Sequence, residues 1–228
     1  MTGVLFFIGI GVVVIVAAYL SYYMRKKRRD ETAAMAKQLG LTYTPVDMEG
    51  LLAYPFQLFE RGDGRGCENV MAGTWQGLPL REFDYWYYEE STDSEGHTSK
   101  TYYRFSCVLA GIAANCSALT VGHENVLTKL ATHIGFPDID FELDDFNRAF
   151  RVKSPDRKFA NDLIDQRMMR WMLQAGDQFS YEVVANEVLV ISKRRKPAEL
   201  VPLLGTVKEF LDHVPRVVYE LYGSGAPQ

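Results

Sequence analysis

The chain has 228 residues, 47% of them hydrophobic, with 25 Lys+Arg against 29 Asp+Glu. Five of those cations lie at 25–29 and no acidic residue precedes Asp30, so residues 30–228 hold 20 Lys+Arg against 29 Asp+Glu, a formal charge of −9. That acidic body excludes a nucleic-acid binder, which needs a basic patch against phosphates. The three irregularly spaced cysteines, Cys67, Cys107 and Cys116, form no disulfide framework and fit a reducing compartment.

Val4 to Met24 is 21 residues without a charge, and Arg25, Lys26, Lys27, Arg28 and Arg29 follow at once. At about 1.5 Å of rise per residue such a helix covers roughly 30 Å, the hydrocarbon thickness of a bilayer. The pattern predicts a single N-terminal transmembrane helix. It is not that of a cleaved signal peptide, whose positive charges precede a short apolar core. Tyr19, Tyr22 and Tyr23 sit where an aromatic belt would lie. The positive-inside rule places the N-terminus outside and everything after the basic flank in the cytoplasm, at a cell inner membrane. The expected division is an anchor and its flank at 1–29, a cytoplasmic domain at 30–222 and a disordered tail at 223–228.

Asp30–Leu39 reads as helix, rich in alanine and stopped by Gly40. Leu41–Tyr43 and Phe56–Phe59 are short strand candidates. Arg61–Gly66 reads as a turn rather than a phosphate cradle, because no helix follows its glycines. Asn69–Trp75, Leu80–Tyr88 and Thr101–Leu109 read as strands, the last two forming a long antiparallel hairpin with a loose tip at Ser91–Thr98. Leu119–Val121 is a further short strand. Glu124–Ile134 has helical spacing, and Phe146–Val152 alternates as a strand does. Asp156 caps a helix to about Gln174, closed by Gly176. Phe179–Val184 and Val188–Ser192 form a hairpin, and Pro197 opens a last helix to Leu221, kinked near Pro202 and Pro215. Strands dominate early and helices late, so the fold class is α+β, with a mostly antiparallel sheet and packed helices.

Chemistry is sparse. Asp138, Asp140 and Glu142 alternate with Ile139, Phe141 and Leu143, which on a strand puts three carboxylates on one face. Clustered carboxylates could hold a divalent cation, but the spacing fails a calcium loop, and alternation alone generates a solvated face over an apolar one. His97, His123, His133 and His213 make no helical metal pair, and no nucleophile elbow exists. Neither cofactor nor metal is expected. The aromatic run Tyr85, Trp86, Tyr87, Tyr88, Tyr102, Tyr103, Phe105 puts rings on both faces of the hairpin. One face covers the core. The other needs a second cover, a helix or another protein, and Trp86, Tyr88 and Tyr102 near the tip are the candidate interaction surface.

Ile139-Asp-Phe-Glu142, then Phe146, Phe150, Val152, Ser154 and Asp156 before a helix at Ala160–Leu163, resembles the signature of a family of bacterial membrane-anchored proteins known only as a domain of unknown function. Leu39-Gly-Leu41, Phe56–Gly62 and Phe83-Asp84-Tyr85 are similar too, and the resemblance covers roughly residues 37–193. It implies a tethered α+β domain and supplies no catalytic residue. The expected function is a non-enzymatic protein-interaction or scaffolding module at the inner membrane, its partners the lipid bilayer and an unidentified protein. The alternatives are a metal-assisted hydrolase using Asp138, Asp140 and Glu142, or a domain that responds to lipid beside Arg25–Arg29.

Overall fold

The computed structural model describes residues 2–123 and 136–223, with the side chains of its first helix from residue 9 onward. That helix, α1, runs without interruption over Thr2–Leu39. Gly40 stops it at φ 71°, a left-handed conformation that costs glycine little. Six strands follow: β1 (Thr42–Val46), β2 (Gly64–Trp75), β3 (Leu78–Thr92), β4 (Thr98–His123), β5 (Phe150–Lys153) and β6 (Phe179–Lys193). They form one antiparallel sheet in the order β1-β2-β3-β4-β5, with β6 also paired to β4. The remaining helices are α2 (Asp144–Ala149), α3 (Arg157–Leu163), α4 (Gln166–Ala175), α5 (Leu200–His213) and α6 (Arg216–Tyr222). The architecture is α+β with an antiparallel sheet, as the strand and helix patterns predict.

Among the described residues no helix is long and apolar enough to cross a membrane. The uncharged stretch whose side chains are described, Gly9–Met24, is 16 residues. At about 24 Å it is short of the roughly 20 residues a span needs. The predicted transmembrane helix is therefore not shown by the fold.

Several local expectations change. Phe56–Phe59 is not a strand: Leu51–Ala53 and Gln57–Glu60 are 3-10 turns, whose spacing sends Leu51, Leu58 and Phe59 inward together. The β3–β4 hairpin has no loose tip. Pairing continues to Thr92 opposite Thr98, and the Asp93 carboxylate accepts from the backbone N–H groups of Glu95 and His97. β4 absorbs the separate strand expected at Leu119–Val121. β6 is one strand, not a hairpin: both its halves pair with β4, and Ala185 at φ 50° faces register shifts whose extra residues lie in β4 between Gly111 and Leu119. Phe146–Val152 divides into α2 and β5. The helix expected to reach Gln174 breaks at Asp165, whose side chain caps Met168 N and starts α4 afresh. Pro202 lies in the first turn of α5, where its missing N–H is tolerated, and Pro215 precedes α6. The helix expected at Glu124–Ile134 lies outside the described residues, as does the tail beyond Gly223. Gly223 itself is bridged to Ala114.

The strand alternation splits the hydrophobic core in two. On one face of the sheet Leu80, Val108, Ala110, Val188 and Val190 meet Ala36 of α1 and the helices α3 to α6. On the other, Phe83, Tyr85, Tyr87, Cys107, Leu109, Leu189 and Ile191 are covered by the 3-10 segment with Leu51, Phe56, Leu58 and Phe59.

Candidate functional site

The first face carries a polar cluster where α1 crosses the sheet. Arg28 sits three residues past the start of the basic run, yet its guanidinium turns inward. Its Nε and Nη2 donate to the two carboxylate oxygens of Asp84 at 2.6 and 2.5 Å, and its Nη1 donates to the carbonyl of Arg195 at 2.7 Å. Bidentate pairing of this kind fixes geometry as well as charge. Asn69 Nδ2 donates to Asp84 at 2.8 Å and Tyr43 donates to Asn69 Oδ1 at 2.9 Å. Arg194 joins Asp84 and Glu68 at 3.3 and 3.4 Å. Burial costs the Arg28 guanidinium hydration, but the hydrogen bond and charge of Asp84 outweigh it and leave its pKa raised. Next along β3, Glu82 is wholly buried and its Oε1 has no partner. Burial, then the nearby Asp84 charge, pushes its pKa well up.

The strand register gives α1 a direction. Ala36 shares a core with Leu80, and Arg28 pairs with Asp84. The Ala36 carbonyl accepts from Leu41 N, and Leu41 abuts Gly73 opposite Leu80, so α1, which packs on β1 and β2 and reaches β3 through Arg28, has its N-terminus toward the hairpin tip. Beyond Arg28 it leaves the sheet. Ile10, Val13, Ile15, Tyr19, Leu20, Tyr22 and Met24 are exposed around the helix, the least of them 47%. The predicted flank thus divides: Arg25, Lys26, Lys27 and Arg29 are exposed, and Arg28 is a structural residue of the sheet.

Beside α1 lies a groove of about 870 Å³. One wall is the α1 stripe that includes Met24, Lys27, Arg28, Glu31 and Met35, and the other is the segment from Arg194 to Ala198. Lys193-Arg-Arg-Lys196 is a second basic run, brought against the first by the pairing of β6 with β4. Sequence reasoning missed it, although its composition nearly repeats that of the flank.

The candidate interaction surface is assembled. Trp86, Tyr88 and Tyr102 lie on one face of the β3–β4 hairpin with centroids 5.3 to 6.4 Å apart. Lys100 lies over the Tyr88 ring at 4.3 Å and Arg104 over Tyr102 at 5.0 Å. Tyr102 is 46% exposed and the other two rings are half-buried. The Arg61–Gly66 segment explains how they lie flat. A Cβ at Gly64 would come within 2.5 Å of the Tyr88 ring, and one at Gly66 within 2.8 Å of Trp86. The glycines are the bed on which the rings rest. Tyr85 and Tyr87 point the other way, into the core.

The remaining candidates do not converge. Asp138, Asp140 and Glu142 are exposed, while Ile139 is buried. The alternation holds, but the backbone is a loop with an isolated bridge from Asp138 to Lys153 rather than a strand, and Asn147 clamps the N–H and carbonyl of Phe141. Among the described residues no group of three His, Cys, Asp or Glu side chains could hold a metal ion. His97 is exposed at the tip and His213 stacks on Trp171. His133 lies outside the described residues. Cys107 and Cys116 are both buried, and burial raises both thiols, that of Cys116 to about 12, which disfavours thiolate reactivity near neutral pH.

No family model and no curated protein matches this chain. Among solved structures, the crystal structure of the mycobacterial trehalose monomycolate transport factor A is similar, with a TM-score of 0.55 and 16% sequence identity over 82% of this chain and 93% of that one. At that identity the likeness is one of fold: an α+β domain with an antiparallel sheet.

Proposed function

We propose that this chain is a single-pass membrane-anchored factor whose α+β domain is held at the cytoplasmic face of a bacterial inner membrane and works by contact rather than catalysis. The observation that carries this is α1 itself. It is uninterrupted over Thr2–Leu39, its described uncharged residues from Gly9 to Met24 are exposed around the circumference, and its basic end is locked to the sheet through Arg28 and Asp84. An apolar helix exposed on all sides needs an apolar surrounding. The 21 uncharged residues from Val4 to Met24 have the length a bilayer supplies. The cations at 25–29 orient it with the domain inside. The resemblance to tethered domains of unknown function fits this reading. So does the solved neighbour, which is named a transport factor; an assisting role in transport is its natural extension to this chain. The half-exposed Trp86–Tyr88–Tyr102 face is the surface we assign to a protein partner.

Fusions at Gln228 test the topology. An alkaline phosphatase fusion is expected to be inactive and a fluorescent-protein fusion bright; the reverse pattern refutes the cytoplasmic placement of the domain. Replacing Arg25, Lys26, Lys27 and Arg29 by glutamine is expected to loosen orientation without unfolding the domain. Arg28→Met alone is expected to cost about 3–5 kcal/mol, because it leaves Asp84 buried beside a lost partner. Equal stability of the two variants would show that Arg28 is an ordinary flank residue.

A further inference from the structure

The two basic runs meet at one place, and not all of their charge is used. Arg28, Arg194 and Arg195 are engaged: the first two with Asp84, the third with Gln178, Ser192 and the Phe179 ring. Arg25 and Lys196, which face the same groove, are exposed and have no ionic partner among the described residues. Lys27 has only Glu31, at 3.8 Å, and Glu31 is the one acid on the groove walls. Arg194 adds a buried Nε without an acceptor. Beside these cations the walls carry the apolar Met24, Ala34, Met35, Pro197 and Ala198, with Tyr23 and Gln38 as the uncharged polar side chains. One end of the groove is at Tyr23 and Met24, where the uncharged run stops.

We infer that this groove binds the headgroup of an anionic phospholipid drawn from the membrane in which α1 sits. The ligand must satisfy both linings. A phosphate would take Arg25, Lys27 and Lys196, and the glycerol and upper acyl chain would lie against the methionines and Pro197. An acidic peptide would satisfy the charges and leave the apolar walls wet. The inference rests on the anchor reading, because the groove opens toward the lipid only if the helix before it spans. It makes the α1–sheet junction a lipid-sensing joint, since bound lipid bridges the helix and the segment that leads from β6 to α5.

The test uses the full chain in neutral detergent, with phosphatidylglycerol and phosphatidylcholine offered in equal amounts and retained lipid read by native mass spectrometry. Preferential retention of phosphatidylglycerol is expected. Arg25→Gln with Lys196→Gln is expected to reduce it on the order of tenfold, whereas Lys26→Gln with Arg29→Gln, equal in charge and outside the groove, changes it by less than about twofold. Equal losses from the two pairs would mean a general basic flank and overturn the site, as would equal retention of the two lipids. Displacement of phosphatidylglycerol by inorganic phosphate alone would mean a free-anion site and overturn the lipid assignment. Full chain recovered in the soluble fraction of cells would sink the anchor reading instead, so the two failures are told apart.

Discussion

The two faces of the β3–β4 hairpin use the same residue types to different ends. Tyr85 and Tyr87 are 0% and 1% exposed, and Tyr85 donates to the Leu58 carbonyl at 2.8 Å. One residue along, Trp86 and Tyr88 lie flat on glycines with water beyond them. Period-two alternation produces both sets, so composition does not distinguish them. What distinguishes them is the cover. The 3-10 segment with Leu51, Phe56, Leu58 and Phe59 closes the first face, and α1, already leaving the sheet by Arg28, fails to reach the second. A ring is core or surface according to whether a neighbouring element extends far enough.

The largest expected effect breaks the covered face. Tyr85→Ala is expected to destabilise the domain by about 3–5 kcal/mol, as for a large aromatic removed from a packed interior with a buried carbonyl left unpaired. Urea unfolding measures it. A loss below about 1 kcal/mol would mean that the 3-10 cover is not packed on the sheet.

A smaller effect sharpens the same face through a buried carboxylate that receives the cover. Glu182 accepts from the backbone N–H groups of Gln57 and Leu58 at 2.7 and 3.1 Å, tying the 3-10 turn to β6. Burial raises its pKa to about 7, against the two hydrogen bonds that lower it. A carboxyl raised in the folded state stabilises fully below its unfolded value, near 4.5, and that stability is lost as pH rises through about 7. The loss is expected to be on the order of 2–3 kcal/mol between those limits. Glu82 on the opposite face has the same sign, so the quantity to measure is the difference between the wild-type pH profile and that of Glu182→Gln. Superimposable profiles would show that Glu182 titrates normally.

What was legible in the sequence follows from these cases. Strong local signals agree with the structure: Gly40 as a stop, Asp156 as a cap, and the paired aromatic strands. Ala185-Asn-Glu187 reads as a turn, but both sides of it pair with the same long β4, whose extra residues between Gly111 and Leu119 absorb the irregularity. Trp86, Tyr88 and Tyr102 share one face because strand alternation and the β3–β4 register put them there. Arg28 reads as a flank residue because nothing local separates it from its four neighbours; only the distant Asp84 does. Lys193–Lys196 was overlooked for the same reason, since its meaning depends on the strand pairing that carries it to α1.

The smallest expected effects belong to the open face. Trp86→Ala removes a half-buried ring whose neighbours, Tyr88 and Tyr102, can settle toward the vacated space, so its cost is expected to be about 1 kcal/mol, far below that of Tyr85→Ala. Gly66→Ala asks a finer question. Its new Cβ would lie 2.8 Å from Trp86 Cζ2, so the ring must lift. A lifted ring still stacks on Tyr88, hence a stability change within about 1 kcal/mol, but it gains exposure to solvent. With Trp75 and Trp171 replaced by phenylalanine, the emission of Trp86 is expected to shift to the red and become more accessible to iodide in Gly66→Ala. Unchanged emission with a large loss of stability would place Trp86 in a packed interior, and the difference between the two faces would disappear.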